Sequence, residues 1–592
     1  MLCEAMEVFK EMLQEKGDRI ILDTYIPKDG TYRLIEMNDD EWKITKTLEI
    51  KNNKKSGEIE GSHDRDYTYI RELDYYSKLL EMNKPMDSSK TIHTNNYLSI
   101  AVKKENINKL NLNIINSFYE TLINPNSKYK KSKVKALYEN VEKDIGKPDV
   151  ENIEKIKEYV SSKNIWEGID LTKKNYAKVF FVYPDRNKSI KCYKKENLRY
   201  LIPNIYNNND YNKTINENIY GLPNNNIGMN SKKPYLDNKS RKTNVPYMLN
   251  QQDAILQMQL FDYFNGQVSK GRGNIYIDTD EDCPNITAYS NTEEPQFLES
   301  GYFLNIYKDK NEAAIRRADV ITKYDPCLKE PFWLKNYIEI PQITLEKSKI
   351  DYQTSYKRLW EVKGLIDIIF FEGKLKFNLY TEPKDMSFNN DVLKRCLLQS
   401  RDAFISYFYC GEKRNIKDVI KRISIELIEN SLRKDSIPKA RHQFNLRWSL
   451  LDYFKDNGRI GEKMINVRES LRKHINQPKE EEWEFSSDEE FAYGFGQAVS
   501  YLVSLSKAKD KSSSVINPFL NAKNTASIKK QLMQLYKKYN YQIPHFGAGR
   551  IEQLLSHIMV FEPKEIQSEY LMAGFTAFSL IYEKKNTESE EI

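Results

Sequence analysis

The chain has 592 residues, 40 % of them hydrophobic and 12 % aromatic, enough for several domains with a sizeable core, which argues against wholesale disorder. Its formal net charge is +7, from 92 Lys and Arg against 85 Asp and Glu, a mildly basic balance that admits a nucleic-acid partner without requiring one. Six scattered cysteines with no CxxC pair argue against a zinc ribbon or a secreted disulfide framework, and the longest apolar runs, such as 364–371, are too short to cross a bilayer.

Taken in chain order, residues 1–19 predict an amphipathic helix, with Leu2, Met6, Phe9 and Leu13 at helical spacing and charges between them. This is no signal peptide, so a soluble, cytoplasmic protein is expected. Residues 18–50 alternate apolar and polar around turns at 27–30 and 38–40, which predicts a small antiparallel meander. A charged loop follows at 51–66. A helix is expected over 67–82, with Tyr69, Leu73, Tyr76 and Leu80 on one side, and mostly helical chain over 105–163. A strand at 177–183 precedes an Asn/Gly-rich loop at 204–230 and a basic segment at 231–247. Residues 248–268 predict a helix and 274–278 a short strand. Residues 362–380 predict a hairpin, turning at Glu372-Gly373 and then alternating Leu375, Phe377 and Leu379.

From about residue 391 helical periodicity runs to the end. Ser487 and Glu490 fit a capping box, followed by Phe491, Phe495, Val499 and Leu502 on one face. A second helix carries Ile528, Leu532, Leu535 and Tyr539, and a third Ile551, Leu554, Leu555 and Ile558. Pro563 suits the first turn of a fourth, with Ile566, Tyr570 and Phe578 inside. Such stripes belong to packing. The expected fold class is α+β: a mixed N-terminal region with small antiparallel sheets and helices, followed by an all-α C-terminal helical bundle. The expected domains are an α+β domain at 1–390, a helical connector at 391–463 and the bundle at 464–592. Asn457-Gly458 and Gln477-Pro478 are the candidate joints.

Two stretches have the composition of a nucleic-acid surface. In 231–247, five cations (Lys232, Lys233, Lys239, Arg241 and Lys242) face the single acid Asp237, and Tyr235 and Tyr247 each follow a proline. The amides of Asn224, Asn225, Asn226 and Asn230 lie just before. Amides read base edges, cations hold phosphates and aromatic rings stack on bases. A solvated surface loop has the same composition. The second stretch runs from 501 to 550, where nine cations (Lys507, Lys509, Lys511, Lys523, Lys529, Lys530, Lys537, Lys538 and Arg550) meet one acid, Asp510. A one-sided basic surface suits a nucleic-acid backbone, and an ordinary solvated helix face remains the alternative.

Catalytic patterns are scarce. There is no GxxxxGK[ST], and Lys270-Gly271-Arg272-Gly273 precedes a strand rather than following one. His63-Asp64 has the form of a phosphohydrolase metal pair but sits in a polar loop of a chain with six His. Asp278, Asp280, Glu281 and Asp282 can hold a divalent ion, and a loop after a strand accounts for them equally well. His545 and His557 flank a bundle helix and read as packing or surface residues. No Ser/His/Asp or Cys/His arrangement follows from the spacing. No catalytic residue, metal ligand or cofactor is assigned, and a binding or assembly protein is expected.

In its ordered features the chain resembles the large subunits of type I-B CRISPR Cascade complexes over nearly its full length. The resemblance is carried by the N-terminal helix with Asp18-Arg19-Ile20-Ile21, and by Asn230-Ser231-Lys232-Lys233-Pro234-Tyr235-Leu236 with Arg241-Lys242 and Val245-Pro246-Tyr247. It continues in Phe491-Ala492-Tyr493-Gly494-Phe495-Gly496-Gln497, Ser506-Lys507-Ala508-Lys509 and Asn517-Pro518-Phe519-Leu520. The resemblance implies a non-catalytic subunit that reads the PAM on target duplex DNA, sits by the 5′ end of the CRISPR RNA and aids R-loop formation. It implies a bundle that lines the path of the displaced strand. It also implies as partners the backbone and guide-end-capping subunits, small-subunit copies and a recruited helicase-nuclease, with no membrane. On this basis Asn224, Asn225, Asn226, Asn230 and Tyr235 are expected to contact bases or sugars and the five cations of 232–242 phosphates, of guide RNA or of target DNA. The nine cations of the bundle are expected along the displaced-strand backbone. Related systems translate a separate small subunit from within the large-subunit gene. Here Ile460-Gly461-Glu462, encodable as ATA-GGA-GAA, places a purine-rich ribosome-binding sequence just before Met464. A free product 464–592 is therefore expected, the alternative being an ordinary internal Met. Two rival classes stay open: a metal-dependent nuclease using His63, Asp64 and the acids of 278–282, and a scaffold that binds only protein.

Overall fold

Two adjacent strands, Gly30–Glu36 and Tyr176–Val182, pair in parallel at the centre of a five-stranded sheet, with Tyr32 opposite Lys178. The sheet order is Ile59–Glu60, Lys43–Asn52, Gly30–Glu36, Tyr176–Val182 and Ser99–Lys103, and its other pairs are antiparallel. The two central strands are buried along nearly their whole length, as an apolar run covered on both faces must be. The computed structural model describes residues 1–592 except 39–40, 54–57, 225–246, 281, 310–311, 347–349, 353, 455–459, 478–481, 507–515, 522–523 and 584–592.

The chain folds as two units, 1–290 with 301–319, and 291–300 with 320–592. In the first, the connection from Ser99–Lys103 to Tyr176–Val182 carries helices Leu112–Ile123, Ser132–Ile145 and Val150–Ser162. Ser132–Ile145 packs on Arg186–Asn204, and Leu112–Ile123 on Val150–Ser162. A four-stranded antiparallel sheet follows in the order Glu312–Ile321, Gly301–Asp309, Asn274–Asp278 and Asn285–Tyr289. The N-terminal helix Leu2–Lys16 packs its Phe9 side on helix Gln251–Ser269, with the Phe9 and Tyr263 rings 5.6 Å apart.

The second unit is helical apart from the ribbon Cys327–Trp333 with Ser355–Arg358. Helix Ile437–Tyr453 lies at its centre, packed on Leu359–Phe371, Ile416–Arg433, Ile460–Asn476 and Ser568–Thr576. The expected joints at 390/391 and 463/464 both fall inside this unit. The α+β class is observed: small sheets in the N-terminal half and helices in the C-terminal half.

Local expectations need four corrections. The first arm of the 18–50 meander is a short helix, Arg19–Leu22, closed by the Thr24 hydroxyl donating to the Ile21 carbonyl at 2.8 Å; the strands begin at Gly30. The 362–380 hairpin is helix Leu359–Phe371 followed by the turn Leu375–Asn378. Its apolar run is buried on most sides, a pattern that a short stretch of sequence cannot distinguish from a strand. Glu372 and Gly373, at φ 58° and 76°, adopt the left-handed conformation that ends helices. The last helix starts at Ser568 rather than Pro563, because the Asp488 carboxylate accepts the amides of Lys564 and Glu565, both at 3.0 Å, and holds that stretch as a turn. The capping box is half formed. Ser487 accepts from the Glu490 amide at 3.2 Å, but the buried Glu490 carboxylate turns to the amide and hydroxyl of Ser486 and to His474.

Candidate nucleic-acid interface

The expected contact segment of the first unit lies almost wholly outside the described residues: Asn225, Asn226, Asn230, Lys232, Lys233, Tyr235, Lys239, Arg241 and Lys242 all fall in 225–246. Its two ends are described and are tied together. Gly221 and Leu249 exchange backbone hydrogen bonds, each 2.9 Å. Gly221 is required there, since a Cβ would come within 2.6 Å of the Tyr206 ring. The Tyr206 hydroxyl reaches the Ile219 and Leu249 carbonyls at 2.8 and 2.9 Å. Asn224 is buried and committed inward: its amide nitrogen donates to Glu81, its amide oxygen accepts from Lys84 at 2.8 Å, and its backbone N–H donates to Ile205 at 2.8 Å. Tyr247 donates to Gln257 at 2.7 Å on the other side.

Lys84 is the knot of this base. Its ammonium also donates to the Asn204 and Tyr206 carbonyls, both at 2.7 Å, and burial pushes its pKa down to about 8. Nearby Lys128 donates to the Pro85 carbonyl and is pushed down to about 8 by the same cause. Both line a polar cavity of about 220 Å³ with Asn83, Asn204, Asn207 and Asn209. In the described part of the preceding Asn-rich loop, Lys213–Ile215 and Asn218–Tyr220 form a hairpin.

In the second unit, Lys507, Lys509, Lys511 and Lys523 lie outside the described residues. The other five cations divide by role. Lys529 is buried and donates to the Met559 and Phe561 carbonyls at 3.1 and 2.6 Å and to Glu562 at 2.7 Å, closing the end of helix His545–Val560. Arg550 donates to the Ile581 and Glu583 carbonyls. Lys530, Lys537 and Lys538 are exposed on helix Thr525–Tyr539, opposite its buried Ile528 and Leu532. Among the described residues Lys530 and Lys537 have no hydrogen-bond or ion-pair partner, and the Lys538 ammonium lies 5.2 Å from the Tyr539 ring. Lys530, Gln534, Lys537 and Tyr541, at spacings of four, three and four, follow one face. Tyr541 is 76 % exposed, and its hydroxyl accepts from Gln542 at 2.7 Å. The sequence reading passed over Tyr541; continuing the lysine spacing one turn beyond the helix would have found it. Two ammoniums without a partner among the described residues, on one face with an exposed ring, have the chemistry to take phosphates and a base of a single strand.

The acids considered for metal binding are engaged locally. His63 is exposed, and the Asp64 carboxyl pairs with Lys46 and accepts the Asp66 amide at 2.9 Å. Those hydrogen bonds, Lys46 foremost, hold Asp64 below the usual carboxylate range. Asp278 and Asp280 each accept the backbone N–H two residues on, at 3.0 and 3.1 Å; Glu281 lies outside the described residues. No group of three or more His, Cys, Asp or Glu among the described residues is placed to hold a metal ion, and none of the described helices is long and apolar enough to cross a membrane. Met464 is buried in the helical core, on helix Ile460–Asn476. Compared with family models, with characterised proteins and with solved structures, the chain matches none.

Proposed function

We propose that this chain is the non-catalytic large subunit of a type I-B CRISPR Cascade complex, acting in the cytoplasm in antiviral defence. In this role it reads the PAM on target duplex DNA and helps open the R-loop. It holds the displaced strand along its C-terminal helices and helps recruit the helicase-nuclease. The guide RNA supplies sequence recognition by pairing, so the protein needs only a short base-reading segment and long backbone contacts. The observation that carries this proposal is the row of exposed lysines on Thr525–Tyr539, two of them unpaired, ending at Tyr541. Free ammoniums gain most from a polyanion, because each neutralised phosphate releases a counterion. The motif order over nearly the whole length supports the same role, as does the tie between the described residues on either side of 225–246, which suits a reading segment between them.

The partners in this proposal are CRISPR RNA, target double-stranded DNA and its displaced strand, the backbone and guide-end-capping subunits, small-subunit copies and the helicase-nuclease. One of those copies is the product 464–592 started at Met464. In the full chain that start lies within the first turns of helix Ile460–Asn476, where the Gly461 amide donates to Asp452 at 3.1 Å. A product beginning at Met464 keeps helices Asp488–Ser504, Thr525–Tyr539, His545–Val560 and Ser568–Thr576.

The test is salt-dependent binding of labelled single-stranded DNA to the full chain. Lys530→Gln, Lys537→Gln and Lys538→Gln together are expected to flatten log affinity against log salt by about 2, from about 0.7 per lost phosphate contact on a single strand. Tyr541→Ala is expected to weaken binding by about 1–3 kcal/mol, with the slope kept. An unchanged slope in the triple variant contradicts the proposal.

A further inference from the structure

A second cationic site lies on the five-stranded sheet, far in sequence from both basic stretches. Tyr176 pairs with Lys103 across the edge of that sheet, and Lys178, two residues on, shares its face. The Lys28 and Lys178 ammoniums lie 5.3 and 5.6 Å from the centre of the Tyr176 ring. The His93 ring centre is 5.6 Å from the same ring, with Nδ1 3.1 Å from the Tyr176 hydroxyl. Four segments of chain thus bring three lysines and a histidine to one half-buried tyrosine.

The acids here do not balance the cations. Asp74 is buried and its carboxylate is taken by Lys178 and by the Tyr25 hydroxyl. Lys28 and Lys103 are exposed and have no carboxylate within ion-pair distance among the described residues. Desolvation lowers the Lys28 pKa, with the charges of Lys178, Lys103 and Lys78 adding to it against Asp74. Burial, and then Lys28 and Lys103, push the His93 pKa down against the Lys90 carbonyl that accepts from Nε2 at 3.0 Å. Both His93 ring nitrogens are engaged, Nε2 at the Lys90 carbonyl and Nδ1 at the Tyr176 hydroxyl. The surplus charge belongs to the two lysines, and an anion between them removes their repulsion.

We propose that Lys28 and Lys103, set around Tyr176, bind a backbone phosphate of a nucleic-acid strand, through residues other than those of 224–247 and of the C-terminal lysine row. This rests on the nucleic-acid role proposed above. A phosphodiester on a strand is favoured over a peptide carboxylate because each phosphate neutralised on a polyanion releases a condensed counterion, a gain that an isolated carboxylate does not offer. The Tyr176 ring is flanked by ammoniums and its hydroxyl is bonded to His93, so it orders the site and leaves base stacking to other residues.

The test uses the full chain with a labelled 20-nucleotide RNA and the matching single-stranded DNA, titrated with salt. Lys28→Gln with Lys103→Gln is expected to lower the slope by about 1.4 on a single strand, two contacts at about 0.7 each. Neither lysine has an ion-pair partner among the described residues, so the thermal unfolding midpoint should change little, and Lys28→Arg with Lys103→Arg should retain binding. If the wild type binds and the Gln pair changes neither slope nor affinity, the Tyr176 site is overturned. The C-terminal lysine row then stands or falls by its own triple variant in the same assay. If the wild type binds neither strand, both proposals are overturned.

Discussion

Replacing Arg447 with methionine is expected to cost about 3 kcal/mol of folding stability, the lower end of the loss that follows when one partner of a buried ion pair is removed, because the Glu569 side chain stays 25 % exposed. The Arg447 side chain is 3 % exposed and grips Glu569 with Nε and Nη2, both at 2.9 Å. Its Nη1 donates to the Lys421 carbonyl and the Ser424 hydroxyl, and Trp448 Nε1 donates to the same Glu569 carboxylate at 2.8 Å. One guanidinium thus joins helices Ile416–Arg433, Ile437–Tyr453 and Ser568–Thr576. Without it, Glu569 is left with the Trp448 indole and the charge of Lys421. A second change, Glu569→Leu, should recover most of the loss, since an apolar pair of similar volume stands in for a buried ion pair at little cost. The pH dependence has a definite sign. Burial alone would raise the Glu569 pKa, yet Arg447 and Trp448 hold it below the ordinary carboxylate value. A depressed folded-state pKa contributes stability above the unfolded value, about 4.3 for Glu, and that contribution is lost as pH falls through the folded value. In Arg447→Met the unpaired carboxyl takes up a proton more readily, so the gap between variant and wild type should narrow on acidification. Urea midpoints at pH 7 and pH 4.5 measure both effects; equal midpoints for variant and wild type at pH 7 contradict the first.

Gly574→Ala is expected to cost about 3 kcal/mol or more, at the upper end of what overpacking imposes. Helices Asp488–Ser504 and Ser568–Thr576 cross with backbone against backbone. A Cβ on Gly496 would sit 2.6 Å from the Phe575 amide nitrogen, and one on Gly574 would overlap the Tyr493 carbonyl. Gln497 bridges the same crossing, donating to the Gly574 carbonyl at 2.6 Å and accepting the Leu580 amide at 2.8 Å. An added methyl must part the helices and stretch this bridge. Gly364→Ala is the counter-case: it lies within a helix, and its Cβ meets nothing within 4 Å. It should stabilise by up to about 1 kcal/mol, since alanine is the better helix former. Thermal or urea unfolding of the two variants reads both signs, and a neutral Gly574→Ala would contradict the tight crossing.

The helical stripes were readable because periodicity is a local signal. Phe491, Phe495, Val499 and Leu502 are buried as their spacing implies, and so are Ile528, Leu532, Ile551, Leu554, Leu555 and Ile558. The Phe495-Gly496 motif was visible, but its reason, the crossing with Gly574 nearly eighty residues on, was not. Residues 362–380 read as a hairpin because the short, all-round apolar run that opens them carries no period. Of the candidate interface, the run of cations was legible and the role of each cation was not. Lys529 and Lys530 are neighbours of one chemical type, yet one is turned onto carbonyls and the other to solvent, a difference set by helix His545–Val560. Asn224 reads like its neighbours Asn225 and Asn226 but is spent on Lys84 and Glu81, from a segment 140 residues earlier. The Tyr176 cluster left no trace in sequence, because Lys28, His93, Lys103 and Tyr176 meet only through strand register.

The most direct test of the central claim is a native pull-down of the tagged full chain from its host, with sequencing of the bound RNA and mass spectrometry of the bound proteins. The expected result is short RNAs of uniform length sharing repeat-derived ends, together with backbone subunits and a product spanning 464–592. Random RNA or none, with no such partners, would contradict the assignment to a guide-RNA surveillance complex.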